Sequence, residues 1–158
     1  MELTHVDRAG DARMVDVSEK SPGARTAVAS GVLRTTEAVI ELLRRDGLPK
    51  GDALATARIA GIMGAKRTPD LVPLCHPIAI TGVTVELEPG PDSVRITATV
   101  RTTDRTGVEM EALTAVTVAG LTLHDMIKAV DPAAVLDAVR VERKDGGKTG
   151  SWTRPEGR

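Results

Sequence analysis

Val83-Thr84-Val85-Glu86-Leu87-Glu88-Pro89-Gly90-Pro91-Asp92-Ser93-Val94-Arg95-Ile96-Thr97-Ala98-Thr99-Val100-Arg101 is the stretch from which the fold can be read. Val83, Val85 and Leu87 alternate with Thr84 and Glu86. Beyond the break, Val94, Ile96, Ala98 and Val100 alternate with Arg95, Thr97, Thr99 and Arg101. Alternation at period two sends successive side chains to opposite faces, so each run is a strand with one apolar face. Pro89-Gly90-Pro91-Asp92 turns the chain between them, which makes the pair an antiparallel hairpin.

Upstream, residues 27–33 form a mostly apolar run with β-branched members. Thr35 or Thr36 then stands as helix N-cap, Glu37 falls in the first turn, and Val39, Ile40, Leu42 and Leu43 follow before Gly47. Asp52 caps a second helical segment over residues 53–66, rich in Ala and Gly, with Pro69 as its limit. Downstream, Gly107 precedes the longest periodic segment, residues 108–130, which Asp131-Pro132 ends. Val108, Ala112, Leu113, Val116, Ala119, Leu123, Met126 and Ile127 share one broad arc of it, yet Val118 and Leu121 lie on the other side. A helix apolar around most of its circumference is covered on more than one side, which in a small protein suggests a partner subunit. Val139 and Val141 mark a last short strand.

The order strand, helix pair, strand, strand, helix, strand defines an α+β protein. It is the ferredoxin-like split βαβ arrangement, an antiparallel sheet backed by helices. With 158 residues, 41% of them hydrophobic, one core and one domain over 1–158 are expected. Residues 1–25 read as an irregular arm around Ser21-Pro22-Gly23, and 145–158, Gly-rich and charged, as a flexible loop and tail.

Twenty-one Lys plus Arg against 22 Asp plus Glu leave a net charge of −1, so no global field draws the chain to nucleic acid or an anionic membrane. Tyr and Phe are absent and Trp152 is alone, which removes the aromatic platforms most RNA and single-strand readers use; base recognition by stacking is not expected. Cys75 is the only cysteine, which excludes an intrachain disulfide or a multi-cysteine zinc site and fits a reducing compartment. The first residues carry no secretory pattern, and no apolar run approaches the roughly 20 residues of a membrane span. A cytoplasmic protein with no membrane partner is the expectation.

Two Gly-Lys stretches fail as phosphate loops. Ala65 replaces the Gly needed beside Lys66, and Glu142 stands where the Gly before Gly147-Lys148-Thr149 is required. Asp125 and Lys128, three apart on the long helix, admit two readings: a surface ion pair, or a partly buried lysine serving as acid or base near neutral pH. Glu109 and Glu111 in the first turn either complement the helix dipole or take part in chemistry. Glu111 lies 14 residues from Asp125, about 21 Å along the axis, so a site using both would be fed by two copies of the helix. In Leu74-Cys75-His76-Pro77, adjacent Cys and His point apart, so a loop His as a hydrogen-bonding contact is favoured over a metal ligand. Lys50, just before a helix N-terminus, is either half of an anion cradle or a solvated turn lysine.

Taken together, Met14-Val15-Asp16-Val17-Ser18, Lys50-Gly51-Asp52 with Ala55-Thr56-Ala57-Arg58-Ile59-Ala60-Gly61-Ile62, Leu74-Cys75-His76-Pro77, Thr106-Gly107-Val108-Glu109-Met110-Glu111-Ala112-Leu113, Asp125-Met126 with Lys128-Ala129, and Gly146-Gly147-Lys148 resemble the signature blocks of the cyclic pyranopterin monophosphate synthase family. They stand in that family's order and span nearly the whole chain. The resemblance implies a ferredoxin-like subunit in a homohexamer, a trimer of dimers, with active sites at subunit interfaces. It implies conversion of (8S)-3',8-cyclo-7,8-dihydroguanosine 5'-triphosphate to cyclic pyranopterin monophosphate and pyrophosphate, in molybdenum cofactor biosynthesis, with no metal or redox cofactor. By the same resemblance Asp125 and Lys128 are catalytic and Lys50 assists; Leu74, Cys75, His76, Met110 and Glu111 line the substrate pocket, and Glu109 helps hold the substrate. Lys144, Lys148 and Arg25 are further candidates for neutralising the triphosphate. His124 and Ile127 stand where Tyr and Cys are expected in some members. The rival function is a non-catalytic, regulatory nucleotide-binding module using the same basic positions.

Overall fold

The computed structural model describes residues 3–45, 47, 48 and 52–157. Among the described residues, five strands and four helices follow in the order β1 (Gly23–Arg34), α1 (Glu37–Arg44), α2 (Ala53–Lys66), α3 (Thr68–Leu71), β2 (Ile80–Pro89), β3 (Ser93–Asp104), α4 (Glu109–Ile127), β4 (Val135–Asp145) and β5 (Trp152–Thr153). The strands form one sheet in the order β2-β3-β1-β4-β5, every neighbouring pair antiparallel. This is the ferredoxin-like α+β arrangement, extended by a short fifth strand.

The hairpin forms as its alternation requires. In β3, Val94, Ile96, Ala98 and Val100 are fully buried on one face, joined by Val85 and Leu87 of β2 and by Ala27, Ala29 and Leu33 of central β1. Helix α4 covers this face with Ala112, Ala115, Val116, Ala119, Leu123 and Ile127, all without solvent exposure. Thr36 caps α1 by accepting from the Val39 N–H at 3.3 Å, and Asp52 caps α2 by accepting from the Ala55 N–H at 2.9 Å. Small residues let α2 lie against α4: a methyl on Gly61 would come 2.8 Å from the Ala115 carbonyl oxygen, and one on Gly64 2.9 Å from the Val118 side chain. The second apolar side of α4 is therefore covered in part by α2 of the same chain, through Val118. Leu121 stays 66% exposed.

Several details differ from expectation. β1 starts at Gly23, inside the expected arm, because Gly23 to Thr26 continue the ladder opposite Asp104 to Arg101. Pro69 does not merely stop α2; it sits in the first turn of the separate α3, where the missing N–H costs no helical bond. α4 is shorter at both ends than 108–130. β4 runs 11 residues rather than a short piece around Val139 and Val141. It carries two bulges opposite β1, since Gly31 faces two residues between Arg140 and Asp137, and Glu142 is passed over between Arg143 and Val141. Within 145–158, read as loop and tail, Trp152 and Thr153 pair with β4 as β5.

Candidate active site

A cavity of about 700 Å³ opens where the α3–β2 loop, the N-terminal turn of α4, strand β4 and the segment around β5 meet. Pro77 keeps the loop extended, so Leu74, Cys75 and His76 reach its wall. Glu109, Met110 and Glu111 enter from the first turn of α4. All six residues predicted to bind substrate thus share one cavity. The bulge at Glu142 shifts the pleat by one, which lets Val141 and Lys144, three apart, both face it.

The electrostatics of the wall follow from burial. Glu111 is only 3% exposed, and its carboxyl is pushed up to about 7, first by loss of solvation, with the charge of Glu109 adding to the rise and a hydrogen bond from its own backbone N–H opposing it. Burial also raises the Cys75 thiol, with the Glu111 charge acting in the same direction. Glu109 instead pairs with the Lys144 ammonium at 3.1 Å. The two carboxyls of one helical turn therefore stand in different surroundings: Glu109 is paired with a cation, whereas Glu111, buried, is close to half protonated near neutrality.

Beside the cavity is a recess of about 140 Å³ that shares Gly107, Glu109, Lys144 and Thr149 with it. Lys20, Arg25, Lys144 and Lys148 bring four cations to this recess, against the carboxyls of Glu109 and Asp145. Its floor depends on glycine. Gly146 has φ +94°, and a methyl there would run into the Ala24 carbonyl oxygen; Gly147, at φ +84°, leaves room for the Arg25 guanidinium. Arg25 donates from Nε to the Asp104 carbonyl oxygen at 3.0 Å, which fixes its head. The three cations named from the sequence, Arg25, Lys144 and Lys148, do converge here, and Lys20 of the arm joins them.

The expected catalytic pair lies elsewhere on the chain. Lys128 and Asp125 form an ion pair at 2.6 Å at the far end of α4, with both side chains about half exposed. Neither lines the cavity of its own chain. The apolar turns beside Lys128 point into the core, which leaves its face open to solvent on this chain alone. Lys50 lies outside the described residues.

Sequence reasoning missed His5, Ser151 and Trp152, which also line the cavity. His5 comes from a small hairpin in the arm, closed by the Val6–Ala12 bridge and by an Asp7 carboxylate accepting from the Ala9 and Asp11 N–H groups at 2.8 and 3.0 Å. No periodicity or motif marks a lone His ahead of the first strand. Trp152 carries one signal in the sequence, its uniqueness, and that alone argues against stacking rather than for it.

The fold and cavity define an α+β protein with a nucleotide-sized site walled by a near-neutral carboxyl and flanked by a cationic recess. The MoaC family model matches residues 14–147. The chain is 69% identical over 152 residues to a Streptomyces coelicolor protein named cyclic pyranopterin monophosphate synthase, covering 96% of this chain and 89% of that one. It is 64% identical over 153 residues to cyclic pyranopterin monophosphate synthase 2 of Mycobacterium tuberculosis strain H37Rv, covering 97% and 92%. With the synthase of Corynebacterium efficiens it shares 59% over 152 residues, covering 96% and 98%. The chain belongs to the MoaC family.

Proposed function

We propose that this chain is a lyase that converts (8S)-3',8-cyclo-7,8-dihydroguanosine 5'-triphosphate to cyclic pyranopterin monophosphate and pyrophosphate in molybdenum cofactor biosynthesis. The observation that carries the reading is the convergence of Leu74 to His76 with Glu109 to Glu111 around one cavity, beside a recess lined by four cations. The cavity suits the purine-derived ring system, and the recess suits the phosphates, whose charge its cations offset. His76 holds the nucleotide by hydrogen bonding. Glu111, near half protonation, can give or take a proton as purine-derived bonds open and the pterin ring closes. In the last step a ribose-derived hydroxyl gives its proton to the lysine that acts as base, its oxygen bonds to the α-phosphorus, and the bond from that phosphorus to the oxygen bridging to the β-phosphate breaks, so pyrophosphate leaves with that oxygen.

Lys128 and Lys50 serve as acid and base, and Asp125 orients Lys128. Because Asp125 lies about 21 Å along the helix from Glu111, the complete site takes its Asp125–Lys128 pair from a neighbouring copy. A homohexamer built as a trimer of dimers supplies such neighbours, and the exposed Leu121 on the same outer stripe of α4 supports contact there. No described helix is long and apolar enough to cross a membrane; a cytoplasmic setting agrees with the nucleotide substrate. The purified protein, given the cyclised nucleotide, should release pyrophosphate and form a product with the mass of cyclic pyranopterin monophosphate. Saturable binding without pyrophosphate release would instead identify a non-catalytic nucleotide-binding module.

A further inference from the structure

Trp152 is the only aromatic residue among Phe, Tyr and Trp in all 158 positions, and the fold sets it in the cavity wall. The register pairs it directly with Lys144, so both side chains stand on the same face of the sheet. Lys144 is held by Glu109, which places the indole next to the ion pair at the mouth of α4. Arg154 lies over the ring with its guanidinium carbon 5.7 Å from the ring centre. That guanidinium is itself tied to β4, donating from Nε to the Val141 carbonyl oxygen at 2.7 Å. Two residues of β5 and one anchored arginine thus hold a large flat side chain that is still 39% exposed. Such a surface costs free energy in water and is recovered when a flat apolar face covers it.

We propose that Trp152 is the stacking platform for the bicyclic, purine-derived ring of the nucleotide. This deepens the reading of the same site and rests on it. The indole receives one face of the heterocycle, while Lys144, shared between cavity and recess, sits where the phosphate-bearing end begins. Stacking acts on the ring system in its bound forms alike, so it sets affinity rather than the rate of the chemical steps.

With no tyrosine in the chain, emission excited at 295 nm comes from Trp152 alone. Titration of the full-length protein with guanosine 5'-triphosphate should quench that emission saturably, with the same midpoint as calorimetry on the same solutions. Trp152→Leu keeps apolar bulk without a flat face and should raise KM for the cyclised nucleotide about tenfold with kcat within about twofold. Trp152→Phe, which restores a flat face, should return KM to within about threefold of wild type. Calorimetric binding with unchanged emission would overturn the proposal, as would a Leu variant with wild-type KM and a folded circular-dichroism spectrum. If the wild type forms no product, the activity reading fails; the paired titrations with guanosine 5'-triphosphate still decide the stacking.

Discussion

Replacing Glu111 by Gln should stabilise the protein, and by an amount that depends on pH. The carboxyl is 3% exposed and raised from 4.5 to about 7, chiefly because burial strips its solvation. Below pH 4.5 it is protonated in folded and unfolded chains alike, and glutamine, a neutral near-isostere, changes little. Between 4.5 and 7 the unfolded chain ionises first while the folded one keeps its proton, so wild-type stability falls as pH rises. Above 7 the folded carboxyl is charged too and the loss is complete. At about 1.36 kcal/mol for each pH unit, the rise to about 7 corresponds to about 3 kcal/mol. Urea unfolding of both proteins, followed by far-ultraviolet circular dichroism at one fixed chain concentration, measures this. The variant's advantage should grow from near zero at pH 4.5 to about 3 kcal/mol at pH 8, since groups common to both proteins cancel in the difference. Its turnover should fall by at least about tenfold, a proton donor having been removed. An advantage that stays flat or shrinks with pH would refute the desolvation argument.

Lys128→Ala and Asp125→Ala should each lower turnover by about a thousandfold, yet move the melting temperature by no more than about 3 °C, because a half-exposed pair is worth about 0.5 kcal/mol. Both inactive on their own, His76→Ala and Lys128→Ala subunits mixed by reversible unfolding should recover roughly a quarter of wild-type activity through random pairing; no recovery would mean that each site is built from one chain. Gly61→Ala should cost about 2 kcal/mol in chemical unfolding, because the added methyl meets the Ala115 backbone oxygen and prises α2 from α4.

Much of the fold was legible because its elements announce themselves locally. Thr36 and Asp52 cap the helices that follow them, and the alternation in β2 and β3 survives intact in the structure. The full length of β4 is not legible for a physical reason: its two bulges break the parity on which strand recognition depends, and its second half is charged. β5 has two residues, too few for any period. At the site, Leu74 to His76 and Glu109 to Glu111 were found as blocks, and it took the sheet order to join them. The separation of Asp125 from Glu111 could be computed from helical rise alone. The role of Trp152 could not be seen in this way, because an isolated aromatic carries no pattern and its meaning comes from the strand opposite.

The extra residue at Glu142 has a consequence for how this cavity can change. Strand side chains take sides by odd and even count, so a supernumerary residue works as a phase slip: everything beyond it changes allegiance. Removing one residue between Val141 and Lys144 would turn the ammonium away from Glu109 while the strand itself survived. Remodelling of this wall is therefore quantised, and a one-residue length change in β4 would alter its charge more abruptly than exchanging one lining side chain.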